Sequence, residues 1–344
     1  MGQTEAESTR SSRKRNLSGR RRLLSQRISD LSLTIHGSRL EPLIGHVYKE
    51  LGGAGIVFRP DTYLSDEWGC PSGTPVIGIP FYLADPVLCT LEDEMTGVEA
   101  ETDAEVIMYL RHEVGHAFNY AYRLYEKRSW RDTFGQFSRP YREEYKPVPF
   151  SMDFVRHSPG WYAQKHPDDD FAETFAVWLD PTSAWREKYA GTGALAKLNY
   201  IGKAAARYGR LPPVSQSGAL DMPVEKMTMT LDTWYERCRE SYGKRPALPP
   251  ALDIDLARLF PGDRGPAVEK LMLASRQMLI RDVNNWTGVD RHLVAGLVDA
   301  VTERIGTLKL KSPGDHEASE LARVSAFLTT LAMNHLRYGR FIPE

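Results

Sequence analysis

The chain reads as an α+β protein: a small sheet beside packed helices, followed by an all-α C-terminal part. Three observations lead there. A helical stretch from about Thr102 to Tyr125 carries His112-Glu113-Val114-Gly115-His116 in its interior. Upstream, Pro75-Val76-Ile77-Gly78-Ile79-Pro80-Phe81-Tyr82-Leu83 is apolar and extended, and its prolines suit an edge strand. Downstream of about residue 213, apolar residues recur at helical spacing between proline-marked breaks.

The elements follow in order. Residues 1–27 are polar and basic, with Arg10, Arg13, Lys14, Arg15, Arg20, Arg21, Arg22 and Arg27 and little to bury, and read as a disordered arm. From about Ile28 to Leu51 the spacing turns helical, and Gly52-Gly53 ends it. Ile56-Val57-Phe58 and Thr62-Tyr63-Leu64 are short strand candidates beside the 75–83 run. Residues 127–160 are aromatic, basic and proline-rich without clean periodicity, as in a long loop forming a cleft wall. His166-Pro167-Asp168 starts a second helix with acids in its first turn, and Pro181 marks its end. A helical stretch at about 184–209 leads to Pro212-Pro213 and Ser215-Gln216-Ser217-Gly218, a linker or hinge. Four further helices are expected, from Met222-Pro223 to Tyr242, Pro266 to Val283, Arg291 to Ile305 and His316 to Tyr338. The expected domains are thus the arm 1–27, a first globular domain 28–212 and a helical domain 213–344.

Composition excludes several classes. At 344 residues, 42% hydrophobic, with a net charge of −1, the chain has room for a real core. That balance argues against nucleic acid as the main partner. Cys70, Cys89 and Cys238 are scattered, with no CxxC pair, which points to a reducing compartment and no part in metal binding. No run approaches a membrane-spanning length, and Arg20-Arg21-Arg22-Leu23-Leu24 lacks the apolar stretch of a signal after it. The expected location is the cytoplasm, with no membrane partner.

The chemistry sits on the first helix. Residues four apart lie on one face of an α-helix, so His112 and His116 aim two imidazoles at one point, with Glu113 beside it. Zinc takes such ligands in a tetrahedron, and a catalytic zinc keeps a position open for water. The adjacent carboxylate would deprotonate that water. Ile107, Met108, Tyr109, Val114, Ala117 and Phe118 surround the motif with apolar side chains, as in a buried helix. Gly115, a poor interior helix residue, marks a close approach by another segment.

A third ligand is sought on the second helix, in Asp168-Asp169-Asp170-Phe171-Ala172-Glu173. Asp169 and Glu173 stand in an i, i+4 relation, with the small Ala172 between them. The spacing favours Asp169 as ligand and Glu173 as a hydrogen-bond partner that fixes a histidine's tautomer. The reverse assignment remains open. Asn119 and Tyr122 stand where a metzincin would need a glycine and a third histidine.

From about Pro60 to Leu179, the run Ile77–Tyr82, the His112–His116 motif and His166–Ala176 together resemble the family of putative zinc-binding metallopeptidases, which is gluzincin-like. The resemblance implies a zincin-like domain, with an edge strand beside the H-E-x-x-H helix that pairs with an extended substrate, and it implies bound zinc. The family usually has Glu where this chain has Asp169, one methylene shorter. The spacing also resembles lethal-factor-like metalloproteases, in which a tyrosine seven residues before the acidic ligand faces the zinc; here that is Tyr162. Its phenol would hydrogen-bond the oxyanion of a tetrahedral intermediate. The competing readings are a core tyrosine beside Trp161, or His157 or His166 as the oxyanion donor, although His166 suits a structural place at the helix start.

The expected function is zinc-dependent hydrolysis of peptide or amide bonds in a peptide or protein substrate. Glu113 would act as general base and then pass the proton to the leaving amine. The alternative is a catalytically silent, zinc-stabilised interaction module recruiting protein partners, and the base at Glu113 favours the enzyme. The helical C-terminal part would be a lid, a docking site for a protein partner, or added packing.

Overall fold

The computed structural model describes residues 19–142, 145–241, 246, 248–312 and 317–341. The expected basic arm lies outside these up to Ser18. Its described remainder is attached: residues 19–24 are helical, Arg20 pairs with Glu94 at 3.0 Å, and Arg27 bridges Thr230.

The first helix is shorter than its periodicity suggested. A 3-10 turn at Ile28–Asp30 precedes Ser32 in the left-handed region, at φ 51°. Helix α1 (Leu40–Gly53) then buries Leu40, Ile44, Val47 and Leu51, an i, i+4, i+7, i+11 stripe, and stops at its paired glycines.

Strand β1 (Asp61–Ser65) pairs in parallel with β2 (Val76–Pro80), Tyr63 facing Gly78. Residues 56–58 are not a strand, and Phe81–Ala84 is a 3-10 turn rather than more strand. In this two-stranded sheet β2 is an outer strand, as its flanking prolines suggested. All five residues of β2 are buried, and on the side away from β1 the Gly78 N–H and C=O bond Gly69 at 2.7 and 3.3 Å. That contact is a single antiparallel bridge, and the neighbouring Trp68 stacks on Tyr109 at 5.5 Å. Gly78 also suits the β1 side, since a Cβ there would sit 3.0 Å from that of Ser65.

Helix α2 (Pro86–Thr96) is capped by Asp85, which accepts from Val87 N at 2.7 Å. Helix α3 (Asp103–Ala121) opens with a capping box, Thr102 and Glu105 satisfying each other's free amides. It ends earlier than Tyr125 because Arg123, at φ 48°, turns the chain. Part of the expected cleft wall is helical, as α4 (Arg128–Phe134). Helix α5 (Pro167–Leu179) lies along α3, and α6 (Gly193–Tyr208) packs behind α5. Gly191, at φ 74°, separates α6 from a single turn at Trp185–Lys188.

Phe118, Phe171 and Phe175 join β2, α1, α3 and α5 in one apolar core. Val224, Met227, Leu231 and Tyr235, beyond the linker, also pack in this core, the last two on α7 (Leu231–Ser241). A second core starts at Leu252 and takes in Val98 from the first half. It is built from α8 (Leu252–Leu259), α9 (Val268–Ala274), α10 (Arg276–Thr287), α11 (Arg291–Thr307) and α12 (Glu317–Tyr338). The expected 266–283 helix is split at Ser275. The bundle is not purely helical either, because the extended stretch β3 (Gly262–Ala267) bridges Lys311. Among the described residues, no helix is long and apolar enough to cross a membrane.

Candidate metal centre

Two helices make the site, and their closeness follows from two small residues. A Cβ on Gly115 would lie 2.8 Å from Ala172 Cα and 3.1 Å from Phe175 Cβ. The backbones of α3 and α5 therefore meet where the histidines emerge, and no larger residue fits at Gly115 without moving a helix.

His112 Nε2 and His116 Nε2 face each other at 3.1 Å. Asp169 Oδ1 stands 3.8 Å from the first and 3.6 Å from the second. All three residues are buried. Zinc bound tetrahedrally at about 2.0–2.1 Å holds its ligands about 3.3 Å apart, so the triangle is the size that ion needs.

The outer ring nitrogens decide what faces inward. His112 Nδ1 donates to Glu173 Oε1 at 2.8 Å. His116 Nδ1 lies 3.0 Å from Asp168 Oδ2, a charge contact not aligned as a hydrogen bond. A proton on each Nδ1 leaves both Nε2 lone pairs directed at one another and at a carboxylate oxygen, an arrangement that a cation between them relieves. Burial pulls both imidazoles toward the neutral form, but Glu173 beside His112 and Asp168 beside His116 outweigh it and hold both above the usual histidine range. Among the described residues, Asp169 Oδ2 has no hydrogen-bond partner despite its burial, and the same is true of Glu113 Oε2. The residues present fit a zinc ion.

The aspartate triplet divides three ways around the first turn of α5. Asp168 accepts from Asn119 Nδ2 at 2.8 Å and from the Tyr120 hydroxyl, besides facing His116. Asp169 points at the two Nε2 atoms. Asp170 pairs with Lys197 on α6 at 2.7 Å. Sequence spacing singled out Asp169 and missed Asp168; Asn119 and Tyr120, one turn past His116, were the available signal. Glu173 sits on the far side of the His112 ring from the cluster. Ser158 N donates to its Oε2 at 2.9 Å, and burial, which would raise its carboxyl, is outweighed by the His112 hydrogen bond, leaving it well below its usual range.

Glu113 projects into the same space. Burial raises its carboxyl above the ordinary range, with His112 and His116 pulling the other way. The Tyr162 ring meets the His112 ring edge-on at 5.6 Å, and its hydroxyl is 3.3 Å from that of Tyr141. Burial, then the Asp169 charge, keeps the Tyr162 phenol protonated. Tyr145 feels the charges of Glu173 and Asp169 in the same way, and burial keeps it neutral too. Neither Tyr141 nor Tyr145 was singled out in the aperiodic 127–160 stretch. The two competing histidines are engaged elsewhere: His157 Nε2 bonds Met108 O at 2.9 Å, and His166 caps α5 through Asp168 N at 3.1 Å. The Cys70 thiol lies near Glu113 and Asp168, is held protonated by burial, and donates to Thr74 O at 3.1 Å.

Residues 94–248 match the model of a family described as putative zinc-binding metallo-peptidase. The family resemblance holds over that stretch. It spans α3 and α5, which carry the cluster, and leaves out β1, β2 and the C-terminal bundle. No curated protein and no solved structure matches the chain.

Proposed function

We propose that the protein is a zinc-dependent peptidase, with His112, His116 and Asp169 holding the metal and a peptide or protein as substrate. The observation that carries the reading is the convergence of two imidazole Nε2 atoms and one carboxylate oxygen beside a buried carboxylate, Glu113, whose Oε2 has no partner among the described residues. A silent structural zinc site has no use for that second acid. When bound, zinc supplies Lewis acidity to water and to a substrate carbonyl.

The chain's own residues supply the rest. Glu113, with its proton affinity raised by burial, accepts a proton at Oε2 and returns it to the leaving amine. Glu173 and Asp168 hold the two imidazoles with Nε2 inward. Tyr162, a neutral phenol beside His112, donates a hydrogen bond to the carbonyl oxygen as it gains charge. The test compares the zinc-loaded wild type with Glu113→Gln on a peptide library. Zinc content is expected to be equal, with cleavage confined to the wild type. Equal cleavage by the variant removes Glu113 from the chemistry, and no cleavage by either overturns the peptidase reading.

A further inference from the structure

The C-terminal bundle touches the site through one short segment. Gly160 and Gly288 pack backbone to backbone: a Cβ on Gly160 would fall 2.4 Å from Gly288 Cα, and Gly160 N donates to Asn285 O at 2.9 Å. Gly288, at φ 71°, is the left-handed cap that ends α10. Next to it the Arg156 guanidinium lies between two indoles, 5.3 Å from the Trp161 ring and 5.0 Å from that of Trp286. Segment 156–161 is therefore held at both ends by the C-terminal end of α10 and the turn that follows it.

The middle of that segment serves the metal site. Ser158 donates its N–H and hydroxyl to Glu173, whose Oε1 in turn fixes the His112 ring. Tyr162 follows directly. The same bundle grips the chain just ahead of α3, with Gln277 Nε2 on Gly97 O at 3.3 Å and Arg291 Nη2 on Glu99 O at 3.0 Å. The chain leading into α3 is thus anchored on the bundle as well.

We propose that the C-terminal end of α10 and the turn that follows it, through Trp286 and Gly288, position the metal site by holding segment 156–161 so that Ser158 keeps Glu173 on His112. The proposal rests on the reading of His112, His116 and Asp169 as a metal site, not on hydrolysis. Partners that orient metal ligands in this way typically change metal affinity by about 10–100-fold when lost. Trp286 acts at one remove further, so the lower end of that range is expected.

The test is a cobalt(II) titration of the full chain, reading affinity and the visible ligand-field spectrum. Trp286→Ala is expected to bind about tenfold more weakly with an altered spectrum. Trp286→Phe, which keeps a ring under Arg156, is expected to restore both. Gly288→Ala, checked by circular dichroism for an intact fold, is expected to act as Trp286→Ala does. In a Ser158→Ala background, which removes the hydroxyl but keeps the residue-158 amide on Glu173, Trp286→Ala is expected to cost less than it does alone, because both act through Glu173. Wild-type affinity and spectrum in folded Trp286→Ala and Gly288→Ala overturn the proposal, and so do fully additive losses with Ser158→Ala. A wild type that binds no cobalt overturns it together with the metal reading.

Discussion

At the scale of single residues, the site turns on which face of α5 each acid occupies. Asp168, Asp169 and Asp170 are successive, yet helical rotation sends one to His116, one to the cluster and one to Lys197. Asp169→Asn is expected to lose zinc outright in a chelator competition, while Glu173→Gln keeps it with about 10–100-fold lower affinity. The reverse order would make Glu173 the ligand. The i, i+4 spacing made Asp169 and Glu173 legible from the chain alone, because helix geometry is local. Asp168 was not legible, since its role depends on His116, Asn119 and Tyr120 arriving from another helix. Tyr141 and Tyr145 were hidden for the same reason: their loop has no period to read.

At the scale of elements, the centre depends on the α3–α5 contact. Gly115 and Ala172 signalled it in advance, a glycine between ligands and a small residue opposite. Gly115→Ala places a methyl against backbone rather than a side-chain end, so it is expected to lower unfolding free energy by about 1–3 kcal/mol in urea. A variant as stable as the wild type would mean the helices are free to separate. Arg111, next to His112, braces the same helix from behind, bonding Glu50 on α1 at 2.9 Å and Asp180 beyond α5 at 3.1 Å. Helix boundaries were legible where caps are local, as at Thr102, His166 and Gly52-Gly53. The strand pairing was not: the apolar, proline-flanked run 75–83 located β2, but only the fold shows its parallel pairing with β1 and the Gly69 bridge on its other side. Helix α8 escaped notice because its buried residues, Leu252 and Leu256, make too short a pattern among prolines.

At the scale of the whole molecule, the second core takes in Val98 from the first half, and a buried acid makes stability depend on pH. Glu92 on α2 is raised to about 7, chiefly by burial, with Tyr235 on α7 pulling it down. Its folded value exceeds the ordinary 4.5, so the folded chain keeps a proton that the unfolded chain gives up. Its contribution to stability is thus intact below the ordinary value and declines as pH rises toward 7. Glu92→Gln is expected to flatten that decline, gaining up to about 3 kcal/mol on the wild type at neutral pH. Parallel stability curves for the two proteins from pH 4 to 8 would show that Glu92 is ionised in the fold. The most direct measurement on the centre itself is the zinc K-edge absorption spectrum of the zinc-loaded full chain. The expected shell is nitrogen and oxygen only, at about 2.0–2.2 Å, with the multiple scattering of two imidazoles. A sulfur shell at about 2.3 Å, which would bring in Cys70, or a signal with no imidazole contribution, would contradict a site built from His112, His116 and Asp169.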